Sequence, residues 1–227
     1  MRINAIIFGA TGHIGQGVLI ECIESQYVES VLVVGRTSCC MRNSKLKEII
    51  HSDFLDYSAI ENELTGYNAC FFCLGVSSAG MKEEKYHLIT HDFTVAAADV
   101  LLRRNPDMTF CFISGAGTDD TLKSRMMWAR VKGKAENSLK EFSFKKLYLM
   151  RPAYIQPVKG VRSRLSMYKI LGPLFPLWKF LFPKNVTTSE EVGLAMINAV
   201  LFGYEKQTLE NRDMIRLANI NRSGDSD

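Results

Sequence analysis

Three glycines spaced three residues apart near the start of the chain form the pattern with the clearest chemical meaning. Gly9, Gly12 and Gly15 follow the apolar run Ile6–Phe8 and open a segment with helical periodicity. In such a turn the first glycine allows the tight bend, the second lets the backbone approach a pyrophosphate, and the third allows close packing of helix on strand. Free amides and the positive end of the helix dipole then face the phosphates. We therefore expect a dinucleotide at this glycine-rich turn (residues 9–15), bound by Gly9, Thr11, Gly12, His13, Ile14 and Gly15.

An arginine marks the end of the second predicted strand. Arg36 lies 21 residues after Gly15, and no acidic residue occurs between Ser30 and Lys47. A carboxylate at this strand end accepts a hydrogen bond from the ribose 2′-hydroxyl of NAD, whereas an arginine pairs with the 2′-phosphate of NADP. The sequence therefore favours NADP over NAD, with a plain surface role for Arg36 as the alternative.

Short apolar runs alternate with helical patterns, and this alternation predicts the elements that position these residues. The strands are predicted at Asn4–Phe8, Val31–Val34, Glu48–His51, Ala69–Leu74, Thr109–Ile113 and Lys146–Met150. The helices are predicted at His13–Glu24, Glu83–Arg104, Ser124–Glu141 and from Glu190 to about Gly203, with a shorter connection at Tyr57–Leu64. Strands that are apolar throughout are buried on both faces. The pattern predicts an α/β fold, a doubly wound parallel sheet of the Rossmann type with a small C-terminal appendage.

The length and composition fit one globular domain with this appendage. With 227 residues, 47% of them hydrophobic and 23% charged, the chain is neither disordered nor of low complexity. We expect the NAD(P)-binding domain over residues 1–151 and about 186–218, a substrate-side appendage over 152–185, and a flexible tail over 219–227. The longest apolar stretch, Ile170–Pro183, is shorter than the roughly 20 residues of a membrane span. Without a secretory signal either, the protein is expected in the cytoplasm.

Four further motifs, each at a predicted strand end, carry a family resemblance. With the glycine-rich turn and Arg36, the motifs SDF, CLG, ISGAG and MRPA make the chain up to about Ile155 similar to the extended and atypical short-chain dehydrogenase/reductase superfamily. It resembles most its small NAD(P)-binding, epimerase-like members, relatives of the nitrogen-metabolite-repression regulator and the Tat-interacting protein. The resemblance implies that the third strand end contacts adenine, the turn after the fourth lines the adenosine, and the Arg-Pro turn lies under the nicotinamide. The residues at these positions are Asp53, Phe54, Cys73, Leu74, Gly75, Pro152 and Ala153.

The same resemblance implies where catalysis takes place. Superfamily enzymes use a serine after the fifth strand, here Ser114, and a Y-x-x-x-K pair whose lysine lowers the tyrosine pKa and holds the nicotinamide ribose. Lys132 is present, but Trp128 occupies the tyrosine position. An indole N–H donates a hydrogen bond but does not titrate in a useful range. The candidates for a substitute proton donor are Tyr154, Tyr86, Tyr168 and a bound water.

Two of these side chains also have a structural interpretation. Ser114 either polarises a substrate carbonyl, in contact with the cofactor, or satisfies backbone groups at the strand end. Trp128 either lies at the reacting centre or is a large aromatic side chain packed on the pocket or the core.

Positive charge is concentrated in the second half of the chain. Residues 123–184 contain 15 Lys and Arg against Glu136 and Glu141, although the whole chain has a net charge of only +4. Such a region suits an anionic cofactor or substrate, an acidic protein partner, a nucleic acid or a membrane surface, and it is also compatible with a solvated face. No nucleic-acid-binding signature accompanies the charge. We expect a small-molecule substrate as the main partner, and a homodimer or an acidic protein partner is possible.

The metal-ligand patterns are incomplete. His87 and His91 are four residues apart on a predicted helix, with Glu83 one turn earlier, but there is no H-E-x-x-H motif and no evident third ligand. Cys70 and Cys73 have C-x-x-C spacing inside an apolar strand without a second pair. We therefore expect no metal, and six reduced cysteines.

Two functions remain open from the sequence. The first is an NADP-dependent oxidoreductase or epimerase-like enzyme for a small carbonyl or sugar-like substrate. The second is a catalytically weak or inactive NADP-binding regulatory or scaffold protein that has lost the proton donor.

Overall fold

A computed structural model of the chain describes residues 2–156 and 186–220. Its strands are β1 Ile3–Phe8, β2 Val28–Gly35, β3 Leu46–Ile50, β4 Ala69–Phe72, β5 Thr109–Ile113, β6 Lys146–Arg151, β7 Tyr154–Gln156, β8 Val186–Thr188 and β9 Thr208–Glu210. Its helices are α1 His13–Glu24, α2 Glu83–His87, α3 Phe93–Arg104, α4 Met127–Lys140, α5 Ser189–Phe202 and α6 Asn211–Ala218. A π-helical turn, Leu88–Asp92, joins α2 to α3, and a 3₁₀ turn covers Glu61–Leu64.

Seven parallel strands form the central sheet in the order β3-β2-β1-β4-β5-β6-β9. The middle strands β4 and β5 are buried along their whole length, because helices cover both faces of the sheet. One core cluster contains residues of α1, α5 and α6, and the other contains residues of α3 and α4. The predicted doubly wound fold is confirmed. The order reverses between β1 and β4, the switch point beside which such sheets bind ligands.

Most predicted elements appear, but three of them differ from the prediction in their interior or at one end. The predicted helix Glu83–Arg104 is interrupted by the π turn, and α4 begins at Met127 rather than at Ser124. The predicted strand Ala69–Leu74 ends at Phe72, because Cys73 and Leu74 already belong to the turn beside the glycine-rich turn.

The C-terminal part of the fold contains elements that the sequence pattern does not predict. Strands β7, β8 and β9 have three residues each, too few for a period-2 pattern to be read. β7 pairs in parallel with β8, so that the chain before residue 157 and after residue 185 is held together. The rest of the predicted appendage, 157–185, and the tail from residue 221 lie outside the described residues.

Helix α5 begins and ends as the sequence predicts. The Thr188 hydroxyl accepts from the backbone N–H of Glu191, and the Glu191 carboxylate accepts from the backbone N–H of Thr188, which completes a capping box. Gly203 ends the helix with φ +73°, a conformation that favours glycine. α5 packs directly on α1: a Cβ on Gly17 would lie 2.5 Å from the Ser189 Cβ, and one on Gly193 would lie 2.8 Å from the Glu21 Cγ.

Candidate functional site

The predicted site residues lie where six neighbouring parallel strands end. They follow β1, β2, β3, β4, β5 and β6, or begin α1 and α4, the helices that come after β1 and β5. Because the carboxyl ends of parallel strands meet at one edge of a sheet, the fold brings these segments to the same side of the molecule.

Gly9 is fixed against the neighbouring strand end. Its φ is +78°, and a Cβ on it would lie 2.6 Å from the backbone nitrogen of Leu74 and 2.7 Å from the carbonyl carbon of Cys73. The Cys73 amide donates to the carbonyl of Phe8 (3.0 Å). Any side chain at residue 9 would therefore separate the turns after β1 and β4.

Gly12 and Gly15 have different surroundings. A Cβ on Gly15 would lie 2.2 Å from the Gly9 carbonyl oxygen, so this glycine allows α1 to pack on the turn. A Cβ on Gly12 would meet one atom within 4 Å, the same oxygen at 3.3 Å, and Gly12 is exposed. Within the described residues, no side chain caps α1 and no acidic residue lies in its first turn. The positive end of α1 thus begins beside open space at Gly12.

The other residues of the glycine-rich turn divide between surface and core. Thr11 is exposed, and Ile14 packs against the core cluster that contains α1. His13 is half-buried as the first residue of α1, and burial lowers its pKa.

The ends of β2 and β3 supply one exposed cation and one exposed acid. Arg36 follows β2 directly and is exposed, with no ion pair to the residues in 2–156 and 186–220. Asp53 is exposed, and its Oδ1 accepts from the backbone N–H of Leu55 (2.9 Å). Phe54 is only 1% exposed and makes edge contacts with the rings of Phe8 and Tyr57. The Phe54 side chain therefore belongs to the core, which leaves only its backbone for a ligand.

The turns after β4 and β6 are partly open. Leu74 is half-buried, and Gly75 is exposed with nothing within 4 Å of a Cβ built on it. Pro152 is buried and its carbonyl accepts from the Ala116 amide (2.8 Å), which joins the turns after β6 and β5. Ala153 is exposed, and its amide donates to Asn211 Oδ1 (3.2 Å).

Ser114 is buried at the end of β5 and has a side-chain partner. Its Oγ lies 2.9 Å from Thr118 Oγ1, and Thr118 Oγ1 donates to the Gly115 carbonyl (2.8 Å). Because the Thr118 proton is used there, Ser114 donates to Thr118 and keeps its lone pairs as acceptors. The Ser114 hydroxyl therefore fixes the loop after β5, in line with its structural interpretation. Its oxygen can still accept a hydrogen bond from a ligand.

Lys132 reaches the same strand end from α4. Its Nζ donates to the carbonyls of Ser114 (2.8 Å) and Ile113 (3.2 Å). Burial lowers the pKa of Lys132 to about 8, while the nearby Glu136 carboxylate acts in the opposite direction. An ammonium has three N–H donors, so one is left beyond these two carbonyls. The structure thus brings Ser114 and Lys132 together as predicted.

Trp128 lies one turn before Lys132 and packs on the loop after β5. The indole ring approaches within 3.7 Å of a Cβ on Gly115 and within 3.4 Å of one on Gly117, whose φ is +87°. The ring is half-buried. The indole therefore packs on this glycine-containing loop, at the position where the superfamily pattern has a phenol.

The candidate substitute acids are not equivalent. Tyr86 is 2% exposed in α2, and burial raises its pKa, which removes it as a proton donor to a substrate. The Tyr154 hydroxyl on β7 donates to Gln156 Oε1 (2.9 Å), and burial raises its pKa too. Tyr168 lies outside the described residues.

Comparison with known proteins finds relatives whose sequences match almost the whole chain. Over 93% of its length the chain is 24% identical to "Protein FMP52, mitochondrial" of Chaetomium globosum, 95% of which is covered. It is 22% identical to "Protein HTATIP2" of Rattus norvegicus, with 94% and 88% of the two chains covered. No protein-family model matches the chain.

Solved structures share the fold at lower sequence identity. The Bordetella bronchiseptica enzyme WbmF in complex with NAD⁺ superimposes with a TM-score of 0.68 at 13% identity, with 100% of this chain and 80% of WbmF covered. A UDP-N-acetylglucosamine 4-epimerase from Methanobrevibacter ruminantium gives 0.69 at 16% identity, with 92% and 76% covered. The predicted resemblance to the short-chain dehydrogenase/reductase superfamily is confirmed.

The structure also shows residues of the candidate site that the sequence reasoning missed. Thr118 fixes Ser114, and Glu136 lies one turn after Lys132 with its carboxylate fully buried. Arg151 Nε donates to Glu136 Oε1 (2.9 Å), so the pair joins α4 to the end of β6. A Cβ on Gly133 would lie 1.9 Å from the Asp119 carbonyl oxygen, which shows how closely α4 packs on the preceding loop. The sequence contains only a weak signal for Glu136 and Gly133. Glu136 is an acid in an otherwise basic stretch, and Gly133 is a glycine inside a predicted helix.

Part of the predicted basic region is internally paired. Arg151 bonds to Glu136, Arg130 forms an ion pair with Glu83 (2.7 Å), and Lys132 is turned toward β5. These cations are therefore not a free surface for a partner, and residues 157–184 of the region lie outside the described residues.

Within residues 2–156 and 186–220, none of the helices combines the length and apolar character needed to cross a bilayer.

All six cysteines are free thiols, and Cys70 is buried inside β4.

Proposed function

We propose that the chain is an NADP-dependent oxidoreductase or epimerase-like enzyme for a small carbonyl or sugar-like substrate, with Trp128 in the usual position of the catalytic tyrosine. The observation that carries the proposal is the contrast among the three glycines. Gly9 and Gly15 are closed in by protein atoms, whereas Gly12 faces open space at the positive end of α1. A pyrophosphate needs that combination of small residue, free approach and helix dipole. The NAD⁺ complex of the similarly folded WbmF supports a pyridine dinucleotide.

The preference for NADP is supported by the end of β2. Arg36 is exposed, and no described acidic residue neutralises it through an ion pair. A guanidinium at this place binds a 2′-phosphate with charge-assisted hydrogen bonds. Asp53 at the neighbouring strand end would contact the adenine, and Leu74, Gly75, Pro152 and Ala153 would line the rest of the dinucleotide.

The proposed chemistry follows from three side chains. The bound nicotinamide would supply or accept the hydride. Lys132 Nζ, with a pKa of about 8, can hold or release a proton near neutral pH, a capacity that Trp128 lacks. Ser114 Oγ keeps acceptor capacity for a substrate hydroxyl, and the Trp128 ring gives the pocket an apolar wall.

Calorimetric titration with NADPH and NADH tests the nucleotide assignment. We expect tighter binding of NADPH, and Arg36→Ala should weaken it roughly 10- to 100-fold while NADH binding stays unchanged. Lys47→Ala is the matched control, since it removes an equal charge from an exposed site in β3. Equal affinities for both nucleotides in the unmutated protein would contradict the NADP preference, and no binding of either would contradict the whole proposal.

The indole at position 128 supports a second function, an NADP-binding regulatory or scaffold protein with little or no turnover. NADPH oxidation should be followed with a panel of small carbonyl compounds for the unmutated protein, Lys132→Ala and Trp128→Tyr. Turnover that Lys132→Ala abolishes supports the enzyme. Turnover that appears only in Trp128→Tyr supports the regulator, because the restored phenol then supplies the missing proton donor.

The site of action in the cell stays a prediction. The sequence favours the cytoplasm, whereas the FMP52 relatives are named as mitochondrial. Fractionation of cells that express the tagged chain would decide between the two compartments.

A further inference from the structure

A cluster of two histidines and one aspartate lies away from the dinucleotide site, at the π turn between α2 and α3. His87 Nδ1 is 3.3 Å from Asp92 Oδ1, and His91 Nδ1 is 2.7 Å from the same oxygen. The two imidazole rings are 4.5 Å apart between centroids. Each residue can offer one ligand atom such that all three atoms lie within 4.8 Å of one another. We call His87, His91 and Asp92 the histidine cluster.

The π turn explains why these three residues meet. In an α-helix, neighbours on one face are three or four residues apart, so Asp92 would not share a face with His87. The π turn has i→i+5 hydrogen bonds, and such turns occur frequently at functional sites. Asp92 is thus the third ligand that the sequence pattern lacked. Glu83, one turn before His87, is paired with Arg130 instead.

The separations suit a small divalent ion. Zinc binds imidazole nitrogen and carboxylate oxygen at about 2.0–2.2 Å, which places tetrahedral ligand atoms about 3.3 Å from each other. The His87–Asp92 separation already has that value, and the His91–Asp92 hydrogen bond would open by about half an ångström. Two histidines and a carboxylate with open positions are a known ligand set for first-row transition metals.

His91 has a hydrogen-bond partner outside the histidine cluster that orients its ring. His91 Nε2 lies 3.0 Å from Ser138 Oγ on α4. Without metal, His91 Nδ1–H donates to the Asp92 carboxylate and Nε2 accepts from the Ser138 hydroxyl. A metal at Nδ1 requires the ring proton to move to Nε2, which can then donate to Ser138 Oγ.

A second neighbour competes with a metal. Lys134 Nζ lies 3.0 Å from His87 Nε2, and an ammonium can only donate. Nε2 is then the acceptor, and the ring proton of His87 is on Nδ1, which faces Asp92. A metal at Nδ1 requires this proton to move to Nε2 and the Lys134 side chain to turn away. Lys134 is exposed, so its side chain has room to do so.

We propose that His87, His91 and Asp92 bind a divalent first-row transition-metal ion, with Zn²⁺ as the probe and water completing the coordination. Such an ion would join the π turn to α4, the helix that carries Trp128 and Lys132, through the His91–Ser138 hydrogen bond. The proposal is independent of the function proposed above.

The test is calorimetric titration of Zn²⁺ into the chelator-treated, full-length protein. Because the exposed Cys40 thiol can also bind zinc, every variant carries Cys40→Ser. We expect one equivalent of Zn²⁺ bound, and at about 100 times Kd a rise in melting temperature of roughly 5–10 °C. His91→Gln and Asp92→Asn should each remove that equivalent, whereas His51→Gln, a histidine outside the cluster, should keep it.

Lys134→Gln gives a result that a merely structural cluster would not give. Removal of the competing ammonium should tighten Zn²⁺ binding by at least about tenfold, since the Gln oxygen can accept from His87 Nε2–H. If His91→Gln has a lower melting temperature than the unmutated protein without metal, His87→Gln replaces it in the test, because the His87 side chain is more exposed. Unchanged zinc stoichiometry in both His91→Gln and His87→Gln would overturn the proposal, and so would zinc binding that Lys134→Gln weakens.

Discussion

Glu136, one turn after Lys132 on α4, affects the pKa of that lysine. Its carboxylate is buried, bonds to Arg151, and raises the pKa of Lys132 against the larger effect of burial. The lysine is thereby held at a pKa of about 8, within reach of neutral pH. A buried carboxylate one turn away is thus a positioning residue for proton transfer.

Glu136→Gln should shift the pH dependence of turnover. Carbonyl reduction needs the protonated lysine, so the rate of the unmutated protein should be half-maximal near pH 8 and fall above it. Loss of the Glu136 charge lowers the Lys132 pKa further, so the half-maximal point should move to lower pH. The pH profile of kcat/KM measures this. A lower rate with an unchanged profile would instead show a role only in packing.

Two glycines of the glycine-rich turn, Gly12 and Gly15, should separate binding from stability. Gly12 is exposed with φ −79°, and the methyl group of Gly12→Ala would meet only the Gly9 carbonyl oxygen, in a tight contact at 3.3 Å, so the melting temperature without nucleotide should fall by no more than about 2 °C. The methyl group would occupy the approach of the pyrophosphate and weaken NADPH binding at least about tenfold. Gly15→Ala should lower stability by about 1–3 kcal/mol, because its Cβ meets the Gly9 carbonyl oxygen.

Calorimetry and thermal melting of both variants check this contrast. Full NADPH affinity in Gly12→Ala would show that the pyrophosphate does not approach this glycine.

Helices α1 and α5 form a support beneath the glycine-rich turn. Gly17 and Gly193 bring the two helices into close contact, and Val18 and Leu19 beside them are fully buried. The position of the α1 N-terminus therefore depends on a helix from the other end of the sequence.

Gly17→Val should separate these helices. Its side chain would collide with Ser189, whose Cβ lies 2.5 Å from a Cβ at residue 17. We expect a loss of about 1–3 kcal/mol in the free energy of unfolding, measured by chemical denaturation. Gln16→Val, at the half-buried neighbouring position, is the control for a β-branched side chain in α1, and an equal loss of stability in both variants would contradict the argument from close packing.

The first six strands could be predicted because they are long enough to show apolar runs, and α1 because a glycine-rich turn precedes it. The strands β7 to β9 could not, since three residues carry no period, and α6 follows β9 directly without a break in the pattern. The π turn could not either, because an α-helical periodicity continues through it. The positions of Ser114 and Lys132 were predictable from the resemblance to the short-chain dehydrogenase/reductase superfamily. Thr118 and Glu136 lie only four residues after them, but the burial of Glu136 and its bond to Arg151 exist only once β6 and α4 have packed.

The folded molecule as a whole should respond to nucleotide. A ligand that binds only the native state at about 100 times its Kd adds about 2.7 kcal/mol of stability. For a chain of 227 residues this is a rise in melting temperature of several degrees. Thermal melting with NADPH, NADH and free adenine tests it, and an equal rise with all three would indicate adenine recognition without the pyrophosphate.

The contact between Gly17 and Ser189 has a consequence for synthesis of the protein. The glycine-rich turn leaves the ribosome well before the helix on which α1 rests, because α5 is made roughly 170 residues later. A nascent chain that ends before residue 189 leaves Val18 and Cys22 without their covering helix. We therefore expect nucleotide affinity at the glycine-rich turn to appear only after α5 has been made.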